Sequence, residues 1–298
     1  MSGADWETQG ERSSRFWVGL LAWIAQHLGR SVARIILWPT VLYFLLSSAS
    51  ARASSRNYLR RVLPRQPTLL DVARHFHCFA ACAVDRLLIV AGRTRGLDIH
   101  LSRIGDPLTA ARSGRGCIML VAHLGSFEVL RILGDQSHKL PLRVLLDREH
   151  GQMFTSLLER LNPAFARTII DASQRGPSLV LNLKQALLAG DCVGIMADRV
   201  RGDEPIVAVD FLGGRIRLPA SPWIFASSLK VPVVLAVGLY RGGARYDLHL
   251  ELLADHIELP RARRNEVITE WAQRYADRLA VHARSAPYNW FNFFPYWI

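Results

Sequence analysis

Lysine is nearly missing from this chain, accounting for only three of its 37 basic residues. The positive excess over 25 Asp plus Glu is therefore carried by arginine, a rigid, always charged donor suited to phosphates and carboxylates. An acidic partner is implied, but nucleic acid, anionic lipid headgroups and a phosphate-bearing carrier all qualify, and the arginines are too scattered to choose among them. Cysteine is scarce too. Cys78, Cys82, Cys117 and Cys192 follow no framework of spacings, which excludes a disulfide scaffold and fits a reduced compartment. No uncharged run reaches the roughly 20 residues of a plain membrane span. A Gly-x-Ser-x-Gly elbow, an internal repeat and a low-complexity linker are all absent as well.

What is present is apolar mass. Half of the residues are hydrophobic, enough for a sizeable core in a chain of 298 residues. Residues 16–29 and 35–51 carry no Asp, Glu, Lys or Arg, and Arg30 and Arg34 stand between them. Trp17, Trp23, Trp38 and Tyr43 lie along this region, as aromatic residues do where lipid meets water. Core helices seldom set arginines between two such runs, so residues 1–66 are expected to form a membrane-anchoring helical segment. A signal peptide is the rival, since an apolar run follows Arg12 and Arg15, although no clear cleavage site precedes Arg30. Arg52, Arg56, Arg60 and Arg61 follow, and such clusters favour the cytoplasmic side.

From Pro67 to about Gly92 the spacing predicts one helix. His75, Cys78 and Cys82 share its face, which could hold a metal but equally describes a buried stripe, and no metal or cofactor is expected. Beyond it, short β-type runs at 117–122, 142–146, 168–171, 192–197 and 231–239 alternate with helical stretches such as 151–161 and 177–189. That alternation predicts an α/β domain over residues 67–298, with a mainly parallel central sheet flanked by helices. The chain closes on an unusually aromatic tail from Pro287 to Ile298, which should pack over the core or touch membrane.

The sharpest feature is the run 121–128, Val-Ala-His-Leu-Gly-Ser-Phe-Glu. An apolar strand ends, Gly125 permits a tight turn and helical spacing resumes, so His123 is expected at the carboxyl end of a strand, where α/β sheets bind ligands. An imidazole there can take a hydroxyl proton near neutral pH, and a carboxylate at its other nitrogen would fix the tautomer. Glu128 is the carboxylate in reach by sequence. Ser126 brings the residue types of an esterase triad to the same run, but three residues so close can hardly align as nucleophile, base and orienter.

This His-x-x-x-x-Glu arrangement resembles the motif of the lysophospholipid acyltransferase superfamily, and the chain is most similar to the late (secondary) acyltransferases of lipid A biosynthesis. Further runs match in order. Val193-Gly-Ile-Met-Ala-Asp198 resembles the family's strand ending in Asp-Gln, Val209-Asp-Phe-Leu-Gly213 its Phe-Phe-Gly, and Pro219 and Pro232-Val-Val its later proline motifs. Ser126-Phe127 stands where the family has Asn-Trp, Arg199 where it has Gln, and Leu235 where it has Pro.

The resemblance implies direct transfer of a fatty acyl group from an acyl carrier protein or coenzyme A thioester to a hydroxyl of a lipid or glycolipid acceptor. It implies an enzyme at the cytoplasmic face of a bacterial inner membrane, with membrane rather than nucleic acid as partner. His123 would be the base and Glu128 its orienting acid. Arg148 would bind phosphate or steady an oxyanion, and Asp198 would support the site. Ser126, Arg199 and Gly213 complete the substrate-side candidates, and Arg199, Arg201, Arg215 and Arg217 would add positive charge near the cleft. A non-catalytic, membrane-tethered binder of anionic lipid or nucleic acid would explain the arginines and the apolar start but not the motif series.

Overall fold

The computed structural model describes residues 29–111, 114–133, 141–146, 162–173 and 176–298. The expected run 16–29 up to residue 28, the expected helix 151–161 and Arg148 lie outside the described residues. Three helices come first: α1 (Gly29–Ser47), α2 (Ala49–Val62) and α3 (Leu69–Val90). α1 and α2 meet at a bend of 98°. Thr68 and Asp71 start α3 with reciprocal side-chain-to-backbone bonds, satisfying amides that a helix start leaves free.

Arg30 and Arg34, one turn apart on α1, both point inward. Arg34 bonds the buried Asp85 carboxylate of α3 at 2.8 Å, and Arg30 lies 3.4 Å from its other oxygen. The charges that divide the apolar N-terminal runs are thus the docking contact between α1 and α3. Ala33, Leu37 and Val41 pack beneath them, while Ile35, Trp38, Leu42, Tyr43 and Leu46 face outward.

The α/β part carries β1 (Asp98–Ile104), α4 (Pro107–Ala111), β2 (Cys117–Val121), α5 (Val129–Leu133), β3 (Leu142–Leu146), α6 (Pro163–Ala166), β4 (Ile169–Asp171), α7 (Pro177–Leu188) and β5 (Cys192–Met196). A hairpin of β6 (Ile206–Phe211) and β7 (Gly214–Pro219) follows, then α8 (Ser221–Leu229), β8 (Val233–Tyr240), β9 (Arg245–Ala254) and α9 (Arg264–Ser285). Seven strands form one sheet in the order β1-β9-β8-β2-β5-β3-β4, with only the β8–β9 pairing antiparallel. The expected mainly parallel α/β sheet is what folds.

Strand periodicity divides the core. On β2, Ile118 and Leu120 face the larger apolar cluster with α7, α8, α9 and Trp290, while Cys117, Met119 and Val121 face the cluster with Leu108 and Leu130. With both faces covered, β2 is buried along its whole length, as parallel strands in such folds are. Tyr58, Leu59 and Val62 of α2 belong to the larger cluster too, so the helical start shares the core of the α/β part. Chemistry can then emerge only where the strands end.

Candidate active site

β2 and β5 are parallel neighbours in a register that pairs Val121 with Met196. Two residues beyond each of these ends stand His123 and Asp198, so strand pairing itself brings them together across 75 positions of sequence. The Ala197 amide donates to Val121 O at 3.0 Å, extending the ladder. The Asp198 carboxylate then accepts the His123 backbone N–H at 3.1 Å and the ring nitrogen Nδ1 at 3.0 Å. Because a carboxylate only accepts, Nδ1 carries the proton and Nε2 presents a lone pair. Among the described residues Nε2 has no partner, and the His123 side chain is 31% exposed against 1% for Asp198.

Burial lowers the His123 pKa below the usual histidine value, and the Arg199 charge lowers it further, against the opposing pull of Asp198. The imidazole is therefore neutral, in the basic form, at neutral pH. Burial raises the Asp198 pKa, but His123 and Arg199 more than offset this and hold it ionised. Arg199 donates to Phe291 O at 2.8 Å and lies over the Phe294 ring. Arg201 also acts on His123, and its own amide donates to Glu204. Arg215 is exposed on the β6–β7 hairpin beside Asp210.

From the sequence, Glu128 is expected against the His123 ring. In the structure it accepts the Ser126 hydroxyl at 2.9 Å and pairs with Arg86 of α3, and no contact with His123 occurs among the described residues. The turn explains this. Gly125, at a φ of +73°, drops the chain onto β8, where Ser126 N–H donates to Gly238 O at 2.8 Å. A Cβ on Gly125 would lie 2.0 Å from Gly238 O, and one on Gly238 2.3 Å from Ser126 O. This glycine-on-glycine approach takes residues 126–128 under the sheet end, with Ser126 and Glu128 both buried, and leaves His123 above. An isolated glycine inside the otherwise apolar β8 was a readable sign of such an approach.

Gly213 forms, with Leu212, the two-residue turn of the β6–β7 hairpin, at φ values of 75° and 49°. The tail and α2 pack against this turn: Trp297 Nε1 donates to Phe211 O at 2.9 Å, and Arg61 of α2 donates to Leu212 O while lying 4.3 Å over the Trp297 ring. The tail also reaches the motif. Trp290 bridges Leu124 in antiparallel fashion, Phe291 N–H donates to His123 O at 2.7 Å, and Gly125 N–H donates to Asn289 O at 2.8 Å. Neither Asn289 nor Tyr296 is legible from composition, because an aromatic tail signals burial without saying which polar members are used.

His75, the other histidine singled out by sequence, has both ring nitrogens engaged: Ser55 Oγ lies 2.9 Å from Nδ1 and Trp290 O 2.7 Å from Nε2. Burial holds its pKa down at about 4. Cys78 and Cys82 beside it are buried free thiols, and no His, Cys, Asp and Glu grouping able to hold a metal occurs among the described residues.

A neutral imidazole, held by a buried carboxylate and open at one nitrogen at the carboxyl end of a parallel sheet, is built to accept a proton. The bacterial lipid A biosynthesis acyltransferase family model matches the chain over residues 3–298, essentially end to end. The chain belongs to this family. No curated protein matches it. A lipid A biosynthesis acyltransferase takes an acyl group from a donor to a lipid acceptor. The family is typically membrane-associated. Among the described residues no single helix is long and apolar enough to cross a membrane, though the bent pair α1–α2 is by length and composition.

Proposed function

We propose that the protein transfers a fatty acyl group from an acyl carrier protein or coenzyme A thioester to a hydroxyl of a lipid A precursor-like acceptor. His123 is the general base and Asp198 the acid that orients it. The observation that carries this reading is the bond from Nδ1 to the buried Asp198 with Nε2 left open. The acceptor hydroxyl gives its proton to Nε2 while its oxygen attacks the thioester carbonyl carbon. The tetrahedral intermediate then collapses, the C–S bond breaks, and the departing thiolate takes the proton back from the imidazolium. No covalent acyl-enzyme is needed, and Ser126, buried and donating to Glu128, is poorly placed to form one. Glu128 acts at one remove, holding the turn that presents His123. Arg199 and Arg201 supply positive charge for an anionic acceptor, and Arg148 steadies phosphate or the developing oxyanion.

Membrane attachment is part of the same proposal. It rests on the outer face of α1, where Ile35 and Leu46 are 70% and 72% exposed and Trp38 and Tyr43 stand among them. An apolar face of that kind, flanked by aromatic rings, suits the interfacial region at the cytoplasmic side of the inner membrane. Sedimentation with anionic lipid vesicles should be strong for the full chain and weakened by Ile35→Ser, Leu42→Ser and Leu46→Ser together. Equal sedimentation of that variant would remove α1 from the contact. The transfer reaction is tested by mass spectrometry of the acceptor after incubation with acyl donor: product is expected with the wild type and is lost with a folded His123→Ala protein. Wild-type product from that variant would overturn the mechanism.

A further inference from the structure

The tail after α9 does more than cover the core, because its polar groups reach the backbone on both sides of the catalytic pair. Asn289 is buried, and its side-chain amide behaves like a neighbouring strand. Oδ1 accepts the Tyr240 N–H at 2.7 Å and Nδ2 donates to Tyr240 O at 3.1 Å, at the end of β8. The same residue's main-chain carbonyl accepts the Gly125 N–H, so one residue ties the motif turn to the sheet. Two residues on, Phe291 N–H holds His123 O. Further along, the Tyr296 hydroxyl donates to Asp198 O at 2.6 Å. All of these bonds end on main-chain atoms, of Tyr240, His123, Gly125 and Asp198, leaving the reacting side-chain atoms free.

The tail has its own moorings away from the site. Tyr288 OH donates to Asp71 at 2.7 Å, Trp290 O meets His75, and Trp297 is held by Phe211 O under Arg61. A segment fixed at several points outside the site and bonded to both strand ends within it acts as a brace. Without it, His123 and Asp198 would be two loop residues beyond their last ladder bond, where backbone freedom is greatest.

We propose that Asn289 and Tyr296 are positioning residues of the acyl transfer, setting the separation and orientation of His123 and Asp198 through their backbones. The proposal rests on the reading of His123 as base and Asp198 as its orienting acid. Its chemistry is preorganisation: small displacements of a catalytic base cost rate without touching substrate affinity.

The test uses the full-length protein in detergent or vesicles, with acyl donor and acceptor lipid, comparing Tyr296→Phe, Asn289→Ala and His123→Ala. Tyr296→Phe removes one hydroxyl and keeps the ring, so it decides the matter even if Asn289→Ala fails to fold. The expected result is a fall in kcat of about tenfold with KM unchanged and an unaltered melting curve. The acid limb of the pH–rate profile should also move to lower pH, because a loosened Asp198 favours the imidazolium less. A merely structural tyrosine would move neither the limb nor the kcat-to-KM split. Wild-type kcat and pH profile in folded Tyr296→Phe, with His123→Ala inactive, would overturn the positioning role alone. Turnover by His123→Ala would overturn the underlying reading instead.

Discussion

Among the described residues two imidazoles pair with a buried carboxylate, and the two pairs have different fates. His123 meets Asp198 at the end of β2, while His282 of α9 meets Glu251 of β9 at 2.7 Å. Residue types and distances are nearly the same, yet the surroundings differ. Glu251 is also gripped by Arg278 through both oxygens, at 2.6 and 2.9 Å, and His282 is 5% exposed. Burial raises the Glu251 pKa, but these two partners hold it at about 2, so the ionised Glu251 ties α9 to the sheet through Arg278 and His282. Asp198 has no such guanidinium clamp on its carboxylate among the described residues, and its histidine side chain is 31% exposed, with Nε2 open. A dyad becomes a base only where the ring has an unspent nitrogen and a way in.

The largest effect should separate the two pairs outright. His123→Ala is expected to lose transfer by about 10²–10⁴-fold with little change in melting temperature. His282→Ala should keep transfer and lose about 2 kcal/mol of stability, read by denaturant unfolding of the detergent-solubilised protein. If His282→Ala loses transfer while fully folded, the comparison fails.

Next, Asp198→Asn should cost on the order of 10²-fold in kcat, since the neutral amide neither fixes the tautomer nor stabilises the imidazolium. Unchanged turnover would show that the ring needs no partner.

A smaller, signed effect follows from Arg199, whose charge lowers the His123 pKa. Arg199→Gln removes a repulsion felt by the imidazolium, so the pKa rises and less of the base is free at pH 6. The acid limb of kcat/KM should move to higher pH. Movement the other way would mean that Arg199 does not face the ring.

Least of all should transfer respond to Glu251→Gln, whose effect is on stability. The depressed carboxylate contributes stability that is fully present above its unfolded value near 4.5 and lost as pH falls towards about 2. Wild type and variant should therefore differ by about 3 kcal/mol at pH 7 and converge in acid. A gap that persists to pH 2 would make the loss one of packing.

Much of the fold was legible because buried parallel strands write continuous apolar runs, as at β2, β5 and β8. β1 and β9 were not, since β1 is largely exposed and β9 interleaves Asp247, His249 and Glu251 with its apolar face. Arg30 and Arg34 read as separators of lipid-facing runs, because a sequence does not show that Asp85, some fifty residues later, waits for them. At the candidate site, the place of His123 just past a strand end was legible from the apolar run before it. The partner of its ring is fixed by strand register, which only the folded sheet displays. Glu128 lies nearby in sequence but is carried under the sheet by the Gly125–Gly238 approach. Asn289 and Tyr296 act through backbone bonds that leave no mark on residue patterns.

The central claim is that Asp198, rather than Glu128, sets the proton affinity of His123. The direct measurement is the pH dependence of kcat/KM for wild type, Asp198→Asn and Glu128→Gln in the same membrane preparation. Asp198 raises the His123 pKa, so its removal should shift the acid limb to lower pH while reducing the plateau. Glu128→Gln, acting through Ser126 and Arg86, should lower the plateau and leave the limb where it is. A limb that moves with Glu128→Gln and stays fixed with Asp198→Asn would contradict the account.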